Sequence, residues 1–186
     1  PKKRVIPPNE KVNLVCCGIG FRGKDVVNSL YATGMANIVA LCDVDMGAPH
    51  TEEIMKKFPD VPRFQDFREM FDKMGDQFDA VSVGTPDFSH FPITMLAMSL
   101  GKHVYVEKPL AHNIWQLRTL KKAASHYKVI TQMGNQGHAT DGIRRVKEWV
   151  DAGILGEVRE VLAWFNGPEF GENKYFTKPS GFPPPE

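Results

Sequence analysis

Val12-Asn13-Leu14-Val15-Cys16-Cys17-Gly18-Ile19-Gly20-Phe21-Arg22-Gly23 decides the fold: an apolar run of strand character empties into Gly-x-Gly-x-x-Gly. Twenty residues after Gly23, Asp43 closes a second apolar run, Ile38 to Cys42. Strand, glycine turn, helix start and a carboxylate at that distance together describe a dinucleotide pocket.

Each part answers a physical need. A pyrophosphate must lie against bare backbone amides at the positive end of a helix, where a Cβ would block it. Gly18 makes the turn, Gly20 permits the approach, and Gly23 lets the helix that begins near Phe21 pack tightly on its strand. Ile19, Phe21 and Arg22 complete the turn and count with the glycines as cofactor-binding positions. Asp43, at the tip of the next strand, accepts hydrogen bonds from the adenosine ribose hydroxyls, and its charge repels a 2′-phosphate, so NAD is expected over NADP. Arg22 works against that preference, since a guanidinium in the loop pairs with the pyrophosphate or with a 2′-phosphate.

Composition narrows the classes. The chain has 186 residues, 42% hydrophobic and 24% charged, as in a soluble globular protein, and its formal net charge of +1 gives no argument for nucleic acid or a membrane surface. No apolar run approaches the roughly 18 residues of a membrane span. Cys16, Cys17 and Cys42 all fall in predicted strands and read as small core residues, not as a disulfide framework. His50, His90, His103, His112, His126 and His138 form no His-x-x-x-His pair and no Cys/His cluster, so no metal is expected. Lys2-Lys3-Arg4 has no apolar run behind it and reads as a solvated tail over 1–10. Starting at Pro1 without Met, the sequence suggests removal of something upstream, and the compartment stays open between cytoplasm and periplasm.

Alternating short apolar runs and amphipathic stretches predict a doubly wound parallel α/β sheet, a Rossmann domain over 11–134. Strands are expected at 12–17, 37–42, 62–65, 79–83, 103–106 and 128–132, and helices near 21–33, 48–58, 67–74, 90–100 and 113–126. Beyond Met133 the pattern changes. A glycine-bearing loop, Gly134 to Gly137, leads into a long helix ending near Ala152-Gly153, with Ile143, Val146, Val150 and Ile154 on its apolar face. Glu157 to Asn166 then reads as a β-strand, and a proline- and glycine-rich stretch follows. One strand with an apolar face is not stable alone, so 135–186 is expected to be the start of a truncated α+β second domain, or to pair with another subunit.

Two further groups lie at the carboxyl ends of predicted strands, the edge where open α/β sheets bind ligands. Strand 79–83 runs into Gly84-Thr85-Pro86-Asp87, with His90 in the following helix; strand 103–106 runs into Glu107-Lys108-Pro109. Thr85-Pro86-Asp87 alone is a turn and helix start, with Asp87 as a cap. Glu107-Lys108 after an apolar strand is either an exposed loop ion pair or an ammonium near the cofactor's reactive end.

The glycine turn Gly18 to Gly23, Thr85-Pro86 with His90, and Glu107-Lys108-Pro109, in this order and spacing, resemble the Gfo/Idh/MocA oxidoreductases, the glucose-fructose oxidoreductase and inositol dehydrogenase group, over residues 10 to 166. The resemblance implies an NAD(P)-dependent enzyme, found among bacteria, that passes hydride between nicotinamide and a hydroxyl-bearing carbon of a sugar, polyol or derivative. Carried over residue by residue, Lys108 would hydrogen-bond the substrate hydroxyl and the nicotinamide ribose, with Glu107 holding the local loop. An ammonium beside the cationic ring of oxidised nicotinamide is placed for acid–base work. Pro109 would follow a cis bond. Thr85, Pro86, Asp87 and His90 would line or support the cofactor, and Asn135, Gln136 and His138 would sit beside the nicotinamide, with His138 a candidate for the chemistry. The segment Gly134-Asn-Gln-Gly-His138 and Gly153-Ile-Leu-Gly156 looks like the family's passage into a substrate domain that often supports homo-oligomers. The family's usual catalytic histidine lies in that second domain and is expected beyond Glu186.

Two other readings stand beside this one. Some relatives are redox-assisted glycoside hydrolases that oxidise a sugar transiently at C3, eliminate the glycosidic bond and return the hydride. A non-catalytic dinucleotide-binding protein is the third. Bacterial relatives with this style of glycine turn carry twin-arginine export signals, which the missing Met would fit.

Overall fold

A computed structural model describes Pro7 and residues 10–164, and the chain divides after Ala139 into two compact units. The first contains a six-stranded sheet: β1 Val12–Cys17, β2 Ala36–Cys42, β3 Arg63–Phe64, β4 Ala80–Val83, β5 His103–Val106 and β6 Thr131–Met133. All pairings are parallel and the order is β3-β2-β1-β4-β5-β6. That is the doubly wound arrangement expected from the sequence, with order reversing between β1 and β4.

Five helices make the crossovers: α1 Phe21–Ala32, α2 Glu52–Lys57, α3 Phe67–Met74, α4 His90–Ser99 and α5 Ile114–Tyr127. Because successive strand residues face opposite ways, the sheet carries two cores. Leu14, Cys16, Ile38 and Leu41 pack with Val27 of α1 and Ile54 of α2. On the other face Val15, Cys17, Val81 and Val104 pack with Met70 and Phe71 of α3, Ile93 and Ala97 of α4, and Leu120 of α5. Caps fix the helix starts: Asp66 accepts from the Arg68 amide at 2.8 Å and Asn113 from the Gln116 amide at 2.9 Å. The Asp66 carboxyl is pulled down to about 2, chiefly by its bond from the Arg68 side chain.

Boundaries shift where backbone chemistry outranks hydrophobic pattern. The helix expected from 48 begins only at Glu52, because Gly47 and Pro49 hold the preceding segment in turns. Strand β3 keeps two residues, since Pro62 can offer its carbonyl to Leu41 but has no amide to donate. Strand β6 begins at Thr131, not 128, because Lys128 ends α5 in the left-handed region at φ 53°.

Lys102 enters β5 from the opposite, amino-terminal edge. Its ammonium donates to the Phe78 carbonyl at 2.8 Å over the Phe78 ring, and burial lowers its pKa. In the second unit, α6 Asp141–Asp151 carries Ile143, Val146 and Val150 on one stripe. The strand expected over 157–166 does not form in its described part, 157–164; a strand exists only against a partner ladder, and no described segment supplies one. Residues 165 and 166 lie outside the described residues.

Adjacent Cys16 and Cys17 point into opposite cores, and Cys17 pairs in register with Cys42. Burial pushes the Cys16 thiol up from 9.0 to about 12, while the bond with Cys42, reinforced by burial, holds Cys17 well above its ordinary value. Both stay protonated at neutral pH. Ellman's reagent should therefore label none of the three thiols in the native protein on the minutes timescale, and all three once denaturant is added.

Candidate functional site

Three glycines bring the ends of β1 and β4 together. Gly18 turns at φ +77°, and a Cβ there would lie 2.6 Å from the Gly84 carbonyl carbon and the Thr85 amide nitrogen. A Cβ on Gly84 would sit 2.6 Å from the Gly23 Cα, and one on Gly23 would run into the Gly18 carbonyl oxygen. The contact seats α1 on the sheet with its first turn at the carboxyl edge. No side chain caps that turn and it holds no acidic residue, so its amides remain open to an anion, as a pyrophosphate requires.

A cleft of about 450 Å³ runs along this edge with Gly18, Gly20 and Gly84 as its floor. Asp43 and Asp45 form the wall at β2, with Thr85, Pro86 and Phe88 opposite. Asp43 is already engaged: Oδ2 accepts from the Ile19 amide at 2.9 Å and Oδ1 from the Asp45 amide at 3.1 Å. Thr85 contributes a buried hydroxyl that finds no partner among the described residues. Open amides, a wall of carboxylates and an orphaned hydroxyl suit a dinucleotide with free ribose hydroxyls.

Behind Thr85 two turns are tied together. His90, buried at the start of α4, places Nδ1 2.6 Å from the Pro109 carbonyl oxygen and Nε2 2.8 Å from that of Thr85. The ring thus lies between two backbone carbonyls, to one of which a neutral imidazole donates, and His90 packs against the turns. The Lys108–Pro109 bond is cis, and the Lys108 side chain is exposed. Asp87 starts a 3₁₀ turn, Asp87–Ser89; it is exposed and makes no side-chain cap.

Glu107 is the hub. Its side chain is 5% exposed, and Oε1 accepts from Gln136 Nε2 at 2.6 Å and lies 3.4 Å from both Arg22 Nε and the Tyr105 hydroxyl. A Cβ on Gly134 would strike the same carboxylate. Burial, then the Glu107 charge, push the Tyr105 phenol up. One carboxylate therefore joins the glycine turn, β5 and the segment after β6. Arg22 also reaches Asp25 at 3.4 Å, so its guanidinium stands between the Glu107 and Asp25 carboxylates while lining the cleft. Asn135 and His138 are exposed around the 3₁₀ turn Gln136–Ala139, whose first residue, Gln136, reaches Glu107.

Sequence reasoning placed the glycines, Asp43, Thr85, Glu107 and Lys108 on one edge. It overlooked Asp45, legible as a second carboxylate in Asp43-Val-Asp45, and His50, which reaches Gly20 only through the turns after β2. Among the described residues no cluster of His, Cys, Asp and Glu is placed to hold a metal ion. No described helix is long and apolar enough to cross a membrane.

Glu107→Ala should lower unfolding free energy in urea by about 1–3 kcal/mol, because it strands Gln136 and Tyr105 without their acceptor. Glu107→Gln, which retains an acceptor oxygen, should cost less.

Comparison with known proteins agrees with this geometry. Residues 12–135 match the GFO_IDH_MocA model, the oxidoreductase family with an NAD-binding Rossmann fold. The chain is 28% identical over 162 residues to a glycosyl hydrolase family 109 protein of Shewanella sp. (strain ANA-3), covering 83% of this chain and 35% of that one. It is 27% identical over 116 residues to the scyllo-inositol 2-dehydrogenase (NADP(+)) of Bacillus subtilis (strain 168), covering 62% and 32%. Among solved structures, scyllo-inositol dehydrogenase from Lactobacillus casei with bound NAD(H) and scyllo-inositol superposes with a TM-score of 0.69 at 25% identity, over 80% of this chain and 43% of that one. The chain thus spans well under half the length of these relatives. With its parallel sheet, glycine cradle and Glu107-Lys108-Pro109 turn, it belongs to the Gfo/Idh/MocA oxidoreductase family, in the part that forms the NAD-binding Rossmann domain.

Proposed function

We propose that the protein is an NAD-dependent oxidoreductase acting on a hydroxyl-bearing carbon of a sugar, polyol or derivative, with this chain supplying the coenzyme half of the site. The observation that carries the reading is the Glu107 carboxylate, which fixes the glycine turn to the Glu-Lys-Pro turn and so sets Lys108 on the same edge as the diphosphate cradle. The open amides of α1 would hold the diphosphate, Asp43 and Asp45 the adenosine ribose, and Thr85 and Lys108 the nicotinamide end. Bound there, NAD supplies the hydride acceptor. Lys108 has the complementary task of orienting the substrate hydroxyl and handling its proton. Asn135 and His138 belong to the same end by chain position, as candidates to complete the substrate wall, and the second domain supplies the rest and a surface for self-association.

NAD is favoured over NADP because Asp43 and Asp45 both stand at the β2 tip while Arg22 is held by Glu107. The NADP(+)-dependent B. subtilis relative makes this a point to test in its own right. Calorimetry on the full-length protein should give at least tenfold tighter binding of NAD⁺ than of NADP⁺; equal affinities would remove the assignment. With scyllo-inositol, myo-inositol and a panel of hexoses, nicotinamide absorbance should rise with the true substrate. Lys108→Ala should lower kcat by about 10²–10⁴ while NAD⁺ still binds through the diphosphate and adenosine contacts. Turnover that survives the substitution would take Lys108 out of the chemistry, and coenzyme binding without turnover on any substrate would favour a non-catalytic role.

The glycosyl hydrolase family 109 relatives support a second reading, in which transient oxidation assists glycoside cleavage. There a chromogenic glycoside is split while nicotinamide absorbance shows no lasting change.

A further inference from the structure

The position over Gly20 is the one that a dinucleotide-binding turn keeps clear for the diphosphate. Here it is filled. A Cβ on Gly20 would collide with Cδ2 of His50 and stand 3.2 Å from its Cγ and Nε2, so the imidazole rests on the bare backbone of the turn. Gly20 itself has φ −95° and ψ 169°, open to any residue. Backbone conformation therefore does not require glycine at this position; its bare face is in contact with the ring above it.

Phe21 holds the ring, stacking on it with centroids 4.6 Å apart and planes 15° from parallel; the Asp45 carboxylate lies 3.7 Å from Nε2, outside hydrogen-bond reach. Phe21 is 76% exposed and holds φ +43°, in the left-handed region that a bulky side chain rarely adopts. An exposed aromatic in a strained conformation thus rests on a histidine over the floor of the cleft. Gly20, Phe21, Asp45 and His50 all line the same cleft.

We propose that His50 is a coenzyme-site residue whose imidazole occupies the diphosphate position over Gly20 and yields it when the dinucleotide binds, opening the stack with Phe21. The proposal rests on the reading of the cleft as a dinucleotide site. Coenzyme affinity is then lowered by the fraction of molecules in which the ring is seated. A stacked aromatic pair sets that penalty at roughly two- to tenfold.

The test titrates NAD⁺ by calorimetry into the full-length protein, His50→Ala and His50→Phe. Since the His50 side chain is a quarter exposed and outside both cores, the alanine variant should fold normally, which circular dichroism checks. Expected are two- to tenfold tighter binding by His50→Ala, no gain by His50→Phe, which keeps a ring over Gly20, and loss of the His50–Phe21 ring-proton contact in NMR spectra on saturation with NAD⁺. Equal or weaker binding by His50→Ala, equal gains by both variants, or persistence of the ring contact in the complex would overturn the proposal while leaving the coenzyme site intact. Absence of NAD⁺ binding by all three proteins would remove the coenzyme reading, and the proposal with it.

Discussion

The structure depends on a contact in which nothing larger than hydrogen fits: Gly18, Gly23 and Gly84, where the ends of β1 and β4 meet the first turn of α1. Any Cβ among them falls 2.6 Å or less from backbone, which cannot give way as a side chain can. Through that contact α1 lies close to the sheet, its open amides reach the carboxyl edge, and the switch between β1 and β4 becomes a cleft. The rest of the site is arranged around this fixed point.

Away from that point, polar ties replace steric ones. Glu107 gathers Arg22, Tyr105 and Gln136 around one buried carboxylate, and His90 links the carbonyls of Thr85 and Pro109. These ties join α1, the start of α4 with the turn after β4, β5 with the turn that follows it, and the segment after β6. Charge is distributed in the same way. Carboxylates stand at the β2 tip, while the cation of the glycine turn is held at β5. The two ends of the cleft therefore differ in character before any ligand enters.

Much of this was legible in the sequence because it is local. Strand alternation and the glycine spacing are short-range chemistry, β5 and α3 follow the expected bounds, and the cis Lys108–Pro109 bond is as the family resemblance implied. What escaped is long-range. The direction of Arg22 depends on a carboxylate 85 positions away, and the two partners of His90 are set by turns that only the fold brings together. His50 gave no signal, since its neighbour is a glycine thirty positions earlier. The strand expected from Glu157 failed for a related reason: β-branched residues define a pleated face, but a ladder requires a second segment that the described residues do not provide.

Asp43 ties the ribose end of the cleft to the turn itself, because the oxygen that faces Ile19 fixes the loop before any ligand arrives. Recognition and scaffolding share one side chain. Exchanging it for a small neutral residue, the obvious route to redesigning coenzyme preference, would also release the loop it braces. An engineered switch at this position would therefore trade rigidity for selectivity, unless a new acceptor for the Ile19 amide came with it.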